Sequence, residues 1–171
     1  MDFITRIGDD KDILALYKFA ERMNANNEAM YFDKCFDEVR HNKRIIVIIE
    51  SASSSRILGY GQLIWSPIYA PFKKQEIPEI QDLNVIADAR GKGIGSAMME
   101  FLEAEAKKAG YSEIGIGVGV IARFGAAQRL YINKGYIPNG LGACYDDEMI
   151  EEAAIKPIDE LLSIKLTKKI Q

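Results

Sequence analysis

The sequence predicts a single α+β domain that spans residues 1–171, and three observations support this fold class. Hydrophobic residues make up 48% of the chain and charged residues 27%, which is typical of a globular domain rather than of a disordered one. Strand-like and helix-like segments are interspersed along the whole chain. No repeat, linker or low-complexity tract divides them.

Hydrophobic periodicity assigns most segments, because apolar residues recur every second residue in a strand and about every 3.6 residues in a helix. The run 45–49 contains only isoleucine and valine, which is typical of a central strand covered on both faces. Residues 66–75 contain two prolines and are expected to form a loop, whereas residues 139–160 stay unassigned. The predicted strands are 3–7, 45–49, 57–65, 79–85, 113–120, 136–137 and 161–167. The first predicted helix starts at a capping aspartate, Asp9 or Asp10, and ends at a break over 24–27. The other predicted helices include 32–39, run from 94 to about 110, and cover 125–134.

Charge and apolar patterning exclude several classes of function. With 22 Lys and Arg against 25 Asp and Glu the net charge is −3, whereas a nucleic-acid-binding protein needs a basic face for phosphates. No apolar run has the length of a membrane span, and the polar start is not typical of a signal peptide. Cys35 and Cys144 lack metal-ligand spacing and are too few for a disulfide framework. The sequence therefore predicts a cytoplasmic protein with no metal, no nucleic-acid partner and no membrane partner.

The histidine content restricts the catalytic chemistry. His41 is the single histidine, and its polar surroundings favour a solvated residue at a helix end. A Ser–His–Asp or Cys–His arrangement would depend on it, and one histidine with two distant cysteines cannot form a histidine-based zinc site. Catalysis is therefore expected to use carboxylates, tyrosine, backbone amides and a cofactor.

Three glycines alternate with other residues between a predicted strand and a predicted helix. The segment reads Arg90-Gly91-Lys92-Gly93-Ile94-Gly95-Ser96. Glycine lets backbone amides approach an anion closely, and a helix N-terminus adds the positive end of its dipole. The segment therefore predicts a loop that binds phosphate or pyrophosphate, with Arg90 and Lys92 adding charge at its rim. A glycine-rich turn without a ligand is the structural alternative.

Two common nucleotide-binding motifs fit this loop poorly. A P-loop has Ser or Thr directly after Gly-Lys, but Gly93 follows Lys92 here. A Rossmann fingerprint has glycine or alanine where Ser96 stands, and it follows the first strand of a βαβ unit. Because this loop follows several predicted strands, a nucleotide-binding domain is the less favoured hypothesis.

Three short motifs lie within about residues 79–138. They are Arg90-x-x-Gly93-x-Gly95, Ala127-x-x-Leu130-Tyr131 and Gly135-Tyr136. The first fits the (Gln/Arg)-x-x-Gly-x-(Gly/Ala) signature of the GNAT N-acetyltransferases, and the other two resemble that family's Ala-x-x-Leu-Tyr helix and Gly-(Phe/Tyr) turn. The resemblance implies a GNAT-like fold, with a central mixed, mostly antiparallel sheet flanked by helices. It also implies acetyl-CoA as cofactor and a small-molecule or peptide amine as acceptor, and it leaves a homodimer open.

The resemblance further implies which residues bind coenzyme A. Backbone amides of the glycine loop are expected to hold the pyrophosphate, and the strand backbone at 83–85 is expected to pair with the pantetheine arm. Many family members have an asparagine where Phe124 stands, and a phenylalanine cannot provide that side-chain hydrogen bond. The implied cofactor-binding residues are Leu83, Asn84, Val85, Arg90, Gly91, Lys92, Gly93, Ile94, Gly95, Ser96, Ala127 and Tyr131.

Three residues are candidates for the acid–base chemistry of acetyl transfer. Tyr131 stands where the family has a tyrosine proton donor, and a phenol with a pKa of about 10 is protonated at pH 7. A core aromatic on an amphipathic helix is its structural alternative. For the base, Glu79 and Asp82 lie on one predicted strand, where alternation places them on opposite faces unless a bulge shifts the register. We favour Glu79 slightly and leave Asp82 open, with an amide near Val85 as the expected oxyanion donor.

Alternate glycines mark one face of the predicted strand 113–120. Gly115, Gly117 and Gly119 share that face, and aliphatic residues occupy the other. Glycine inside a strand indicates the close approach of another group. Tight packing of a protein element and room for the pantetheine arm are both consistent with this pattern.

The sequence contains no signature of a particular acceptor. The acidic residues 146–148, 151 and 152 would attract a cationic amine, although such a run is more often a solvated face. The segments 69–72 and 24–31 are where a substrate pocket would form in this architecture. We therefore predict direct N-acetyl transfer in a ternary complex to an unidentified amine. A non-catalytic module that senses acyl-CoA is the alternative hypothesis.

Overall fold

The strands and helices of the protein largely follow the periodicity of its sequence. The computed structural model describes residues 2–25 and 29–170. The strands are β1 (Phe3–Ile7), β2 (Arg44–Ser51), β3 (Ile57–Ile64), β4 (Glu79–Val85), β5 (Glu113–Gly119), β6 (Ile137–Tyr145), β7 (Glu148–Met149) and β8 (Leu162–Lys169). The α-helices are α1 (Ile13–Arg22), α2 (Tyr31–Arg40), α3 (Ala70–Lys74), α4 (Ile94–Lys108) and α5 (Gly125–Asn133).

Among the described residues, the strands form one mixed sheet in the order β1-β2-β3-β4-β5-β8-β6-β7. Strands β4 and β5 pair in parallel. The pairs β1–β2, β2–β3, β5–β8, β6–β8 and β6–β7 are antiparallel. The predicted α+β class with a mixed, mostly antiparallel sheet is therefore confirmed. Within the described ranges, no helix has the length and apolar character needed to cross a membrane.

The chain divides into two compact units. The first unit consists of Met1–Ile64 and Gln81–Ala104, and the second consists of Trp65–Ile80 and Glu105–Gln171. Each unit has its own buried side chains, and boundaries between the units fall within β4 and α4. The interpretation of residues 1–171 as one domain stays a prediction.

Strand β2 forms the centre of the first unit. Its residues 46–49 have no exposed surface, as the uninterrupted isoleucine–valine run predicts, and β1 and β3 flank it. A 3-10 turn precedes α1, and the Asp9 side chain caps it by accepting a hydrogen bond from the Lys11 amide at 2.8 Å. Helix α1 ends at Arg22, and the predicted break at 24–27 lies partly outside the described residues. His41 lies at the exposed end of α2, as predicted.

Strand β5 organises the second unit. It pairs in parallel with the start of β4 at Glu79 and Ile80, and it pairs with β8 along its whole length. Strand β6 lies on the other side of β8 and continues into the short strand β7. Helix α5 ends in a turn where Gly135 has a φ of 87°, and the following Tyr136 is fully buried.

Two predicted segments differ from the structure. The expected loop at 66–75 contains α3, because Pro71 lies in the first turn of that helix, where its missing N–H has no structural cost. The strand predicted at 136–137 extends to Tyr145, and the unassigned residues 139–160 include the rest of it. Gly140 and Gly142, with φ of 79° and 78°, lie within an irregular register against β8 and interrupt the alternation that reveals a strand.

Side chains of the second unit fill the glycine face of β5. A methyl group at Gly115 would lie 2.7 Å from Cζ of Phe72 in α3. At Gly117 it would lie 3.1 Å from Nζ of Lys165, and at Gly119 it would lie 3.1 Å from Cγ of Phe124. Tight packing by protein side chains therefore accounts for this glycine pattern.

We expect Gly115→Ala to destabilise the protein by about 1–3 kcal/mol, because the fully packed Phe72 ring would have to move. For a chain of this length, that corresponds to a decrease of roughly 2–12 °C in the melting temperature. A thermal melt followed by circular dichroism measures the change.

Gly125→Ala is the matched control, since the nearest atom to its added methyl group lies 3.7 Å away and alanine favours a helix. The control should melt at or slightly above the wild-type temperature. Equal melting temperatures for Gly115→Ala and wild type would contradict the packing explanation.

Candidate functional site

One of the two candidate carboxylates has a left-handed backbone conformation within strand β4. Asp82 has a φ of 51°, in the left-handed region that aspartate tolerates better than most residues. The Asn84 side-chain amide donates to the Asp82 carbonyl oxygen at 3.1 Å. The expected strict alternation along 79–85 is therefore broken at Asp82, and the faces of the residues on either side cannot be deduced from their spacing.

Side chains of α2 and β3 hold the Asp82 carboxylate in the first unit. The Tyr31 hydroxyl donates to Asp82 Oδ2, and Gln62 Nε2 donates to the same oxygen at 2.9 Å. Burial of Tyr31 and the negative charge of Asp82 both raise the pKa of the Tyr31 phenol, so that the phenol keeps its proton and acts as a donor. The side chain of Asp82 is nevertheless exposed, so this carboxylate is accessible to an acceptor molecule.

The other candidate carboxylate, Glu79, is buried in the second unit. Its Oε1 lies 2.6 Å from Nζ of Lys165, and the exposed fractions of the two side chains are 1% and 4%. Lys165 also donates to Asp147, so one residue of the acidic run forms a partly buried ion pair. Burial opposes the charge on Lys165, but Glu79 and Asp147 more than compensate and raise its pKa. Glu79 is therefore the ion-pair partner of a charged lysine.

The glycine loop joins a short 3-10 turn to the N-terminus of α4 in the first unit. Gly91 and Gly93 have φ of 71° and 83°, which are strained for any other residue type, and a methyl group at either would meet no atom within 4 Å. The Ala97 amide bonds to the Gly93 carbonyl oxygen at 3.0 Å, so α4 begins directly after Gly93. The amides of the next three residues, 94–96, therefore have no acceptor within the helix.

The two basic side chains of this loop turn back towards the preceding chain. Arg90 Nε donates to the Val85 carbonyl oxygen at 3.0 Å, and Lys92 Nζ donates to the Asp88 carbonyl oxygen at 2.7 Å. Both residues are exposed. These hydrogen bonds hold the loop, and the positive charges of the two side chains stay at its surface, where they attract an anion.

The candidate proton donor lies on α5 in the second unit. Tyr131 is 6% exposed, and its ring centroid lies 6.4 Å from that of Tyr136. Burial raises the pKa of Tyr131 to about 12. The half-buried Ala127 lies one helical turn before Tyr131 on the same face of α5.

The predicted site residues thus fall into the two units. The first unit contains Asp82, the predicted pantetheine-binding residues 83–85 and the glycine loop, and the second unit contains Glu79, Ala127 and Tyr131. Sequence reasoning missed Tyr31, Gln62 and Lys165. A signal for the last two exists, because each is a polar residue inside an apolar strand, and such residues need a buried partner.

The two segments expected to form an acceptor pocket make different contacts where they are described. Tyr69 and Phe72 are each 1% exposed and pack together with Ile77 and Cys144 in the core of the second unit. In the other segment, residues 26–28 lie outside the described residues, whereas Tyr31 contacts Asp82.

Comparisons with known proteins identify the family. The family model described as Acetyltransferase (GNAT) family matches residues 11–136, which is most of the chain. No curated protein matches the chain. The family match includes the glycine loop, α5 and the turn at Gly135.

Solved structures show the same fold at low sequence identity. An N-acetyltransferase from Staphylococcus aureus Mu50 has a TM-score of 0.73 and 19% identity, with full coverage (100%) of both chains. The structure of yncA from Salmonella typhimurium, described with its cofactor acetyl-CoA, has a TM-score of 0.70 and 17% identity, covering 100% of this chain and 95% of that one. A spermidine N-acetyltransferase chimera from Vibrio cholerae and hSSAT has a TM-score of 0.68 and 15% identity, covering 99% and 96%. The chain therefore belongs to the acetyltransferase (GNAT) family, and acetyl-CoA is its co-substrate.

Proposed function

We propose that the protein transfers the acetyl group of acetyl-CoA directly to a primary amine in a ternary complex. The glycine loop at the start of α4 is the observation that carries this proposal. Its helix N-terminus offers backbone amides without intrahelical acceptors, and its two left-handed glycines leave open space where side chains would otherwise stand. Such a loop suits a pyrophosphate, the anionic group of coenzyme A.

The residues of the first unit fit this co-substrate. We propose that the amides from Gly91 to Ser96 hold its pyrophosphate, and that the backbone at 83–85 pairs with its pantetheine arm. Acetyl-CoA supplies a thioester whose acetyl carbon accepts a neutral amine and whose sulfur leaves as a thiol. The remaining requirements, a proton acceptor and a proton donor, fall to the protein.

We propose Asp82 as the carboxylate that receives the amine proton, through water. An alkylammonium keeps its proton up to a pH of about 10, so the acceptor must lose a proton before it attacks. Asp82 is exposed, whereas Glu79 is 1% exposed and ion-paired with Lys165. The buried position of Glu79 supports Asp82 over the choice that the sequence favoured.

We propose Tyr131 as the proton donor to the leaving sulfur. With a pKa of about 12, its phenol carries a proton throughout the neutral range. Among the described residues, no hydrogen bond occupies its hydroxyl group, which leaves the proton available. The position of Tyr131 on α5, four residues after Ala127, also matches the tyrosine motif that resembles the family's.

The names of two solved structures with the same fold suggest classes of acceptor amine. One solved relative is named a spermidine N-acetyltransferase, and another, from Brucella melitensis, is named a ribosomal-protein-alanine N-acetyltransferase. Both names describe primary amines, one in a small polyamine and one at a protein terminus. We propose an amine of one of these kinds for this protein.

Amine-dependent release of free thiol from acetyl-CoA tests the proposed activity. Spermidine, an alanine-initiated peptide, an amino acid and an aminoglycoside form the first panel, with a thiol-reactive dye as the readout. We expect faster thiol release with at least one amine than without any amine. Binding of acetyl-CoA with no amine-dependent release would instead indicate a sensing module.

If the glycine loop binds acetyl-CoA, a substitution in the loop should weaken that binding. Acetyl-CoA at a hundred times its Kd should stabilise the wild type by about 2.7 kcal/mol, or roughly 5–11 °C in a thermal-shift titration. We expect Gly93→Val to lose most of this shift, because valine is strained at a φ of 83° and occupies the space of the ligand.

Gly110→Val is the matched control. Gly110 follows the other end of α4, has a φ of 94°, and would also have an added methyl group in open space. Its variant should therefore have similar backbone strain and keep the shift with acetyl-CoA. An unchanged shift in Gly93→Val would remove the loop from the binding site.

We expect Tyr131→Phe to lower kcat by about 10²–10⁴-fold, the usual contribution of a general acid, with a normal acetyl-CoA shift. Because burial raises the Tyr131 pKa to about 12, the wild-type rate should not decline through loss of this proton until the pH approaches that value. Tyr136→Phe, which leaves Tyr131 in place, is the control. Normal turnover in Tyr131→Phe would exclude Tyr131 from the mechanism.

A further inference from the structure

A buried glutamine lies between an arginine and the Asp82 carboxylate in the first unit. Gln62 is 1% exposed and lies in β3, where the burial extends along the whole strand. Its Oε1 accepts a hydrogen bond from Arg44 Nη1 at 2.5 Å, and its Nε2 donates to Asp82 Oδ2 at 2.9 Å. An apolar side chain at this position would avoid the cost of burying an amide, so the choice of glutamine needs an explanation.

Arg44 determines which way the Gln62 amide faces. An arginine can only donate hydrogen bonds, so the oxygen of the amide must face Arg44 and the NH₂ group must face Asp82. Arg44 is itself fixed, because its Nε donates to Glu38 Oε2 at 2.6 Å and its Nη2 donates to the same carboxylate. The orientation of Gln62 is therefore set by a fixed cation.

The NH₂ group of Gln62 donates to both members of the Tyr31–Asp82 pair. It donates to Asp82 Oδ2 and, at 3.0 Å, to the hydroxyl oxygen of Tyr31. The Tyr31 hydroxyl in turn donates to Asp82 Oδ2. Two donors thus converge on one carboxylate oxygen, and within the described ranges Oδ1 has no hydrogen-bond donor.

The backbone at Asp82 makes such support necessary. A residue with a φ of 51° inside a strand directs its side chain differently from its extended neighbours, and an exposed carboxylate there could adopt several rotamers. The paired donors select the rotamer that places Oδ2 inward and leaves Oδ1 for a solvent or acceptor molecule.

We infer that Gln62, oriented by Arg44, is a positioning residue that fixes the Asp82 carboxylate for the acceptor amine. This inference rests on the proposed role of Asp82 in acetyl transfer. Gln62 acts through Asp82 and does not contact the acceptor itself. A purely structural alternative is that Gln62 only gives the half-buried Arg44 a hydrogen-bond partner.

Gln62→Glu separates these two roles. Glutamate keeps the acceptor oxygen for Arg44, so a structural partner of Arg44 would be preserved or strengthened. It also replaces the donor NH₂ by a second carboxylate oxygen facing Asp82, which repels the Asp82 side chain. We expect a loss in kcat of about tenfold or more, since misplacing a reacting group by about 1 Å can cost 10²-fold, with KM for acetyl-CoA unchanged.

The experiment measures kcat and KM with spermidine and an alanine-initiated peptide in parallel for Gln62→Glu, Asp82→Asn and the double variant. If Gln62 acts through Asp82, the double variant should be no slower than Asp82→Asn alone. Tyr17→Phe is the matched control, since it removes a 2.7 Å hydrogen bond to Asp33 in the same unit and should keep the wild-type kcat. Losses that multiply in the double variant, or a wild-type kcat in Gln62→Glu beside an impaired Asp82→Asn, would overturn the inference.

A crystal structure of Gln62→Glu gives a second readout that needs no acceptor. We expect the Asp82 carboxylate to leave Tyr31 and turn to another rotamer, whereas an unmoved Asp82 would overturn the inference. A normal kcat in Asp82→Asn would overturn both the role of Asp82 and this inference. Amine-dependent thiol release by the wild type would still support the acetyltransferase activity itself, because that measurement does not depend on the role of Asp82.

Discussion

The backbone amides at the start of α4 impose the main constraint on the first unit. Three consecutive amides need an acceptor that the helix cannot supply, and the chain must reach them through two glycines in left-handed conformations. Strand β4 and the 3-10 turn after it bring the chain to that point, and Arg90 and Lys92 brace the turn through backbone carbonyl oxygens. An anionic ligand such as the pyrophosphate of coenzyme A satisfies these amides without any specific side chain, which explains why glycines carry the motif.

The two candidate carboxylates of β4 lie in different environments. Glu79, at the start of the strand, is buried and paired with Lys165, where removal of either partner would leave an uncompensated charge. Asp82, whose backbone is left-handed, is exposed but held by donors from α2 and β3. The buried Glu79 depends on its lysine partner to compensate its charge, whereas the exposed and oriented Asp82 is the proposed acceptor of the amine proton. The two carboxylates of one strand thus have different proposed roles.

Local features of the site were predictable from sequence, and features that depend on distant contacts were not. The glycine loop, the capping aspartate and the turn at Gly135 are encoded within a few residues, so their motifs predict them directly. The Glu79–Lys165 pair joins residues 86 positions apart, and no spacing rule connects them. No residue near Asp82 signals its positive φ, so the sequence alone does not distinguish Asp82 from Glu79 as the base. Pro71 made a loop the expected structure of 66–75, although α3 lies there, because proline disfavours the interior of a helix but not its first turn.

Titration of the ¹⁵N-labelled protein with coenzyme A, followed by NMR, tests the central claim most directly. We predict that the largest amide shift changes fall on residues 91–96, with smaller changes along 83–85, and that these changes are absent in Gly93→Val. Large changes confined to other parts of the chain, with the loop amide signals unchanged, would contradict the proposed binding site.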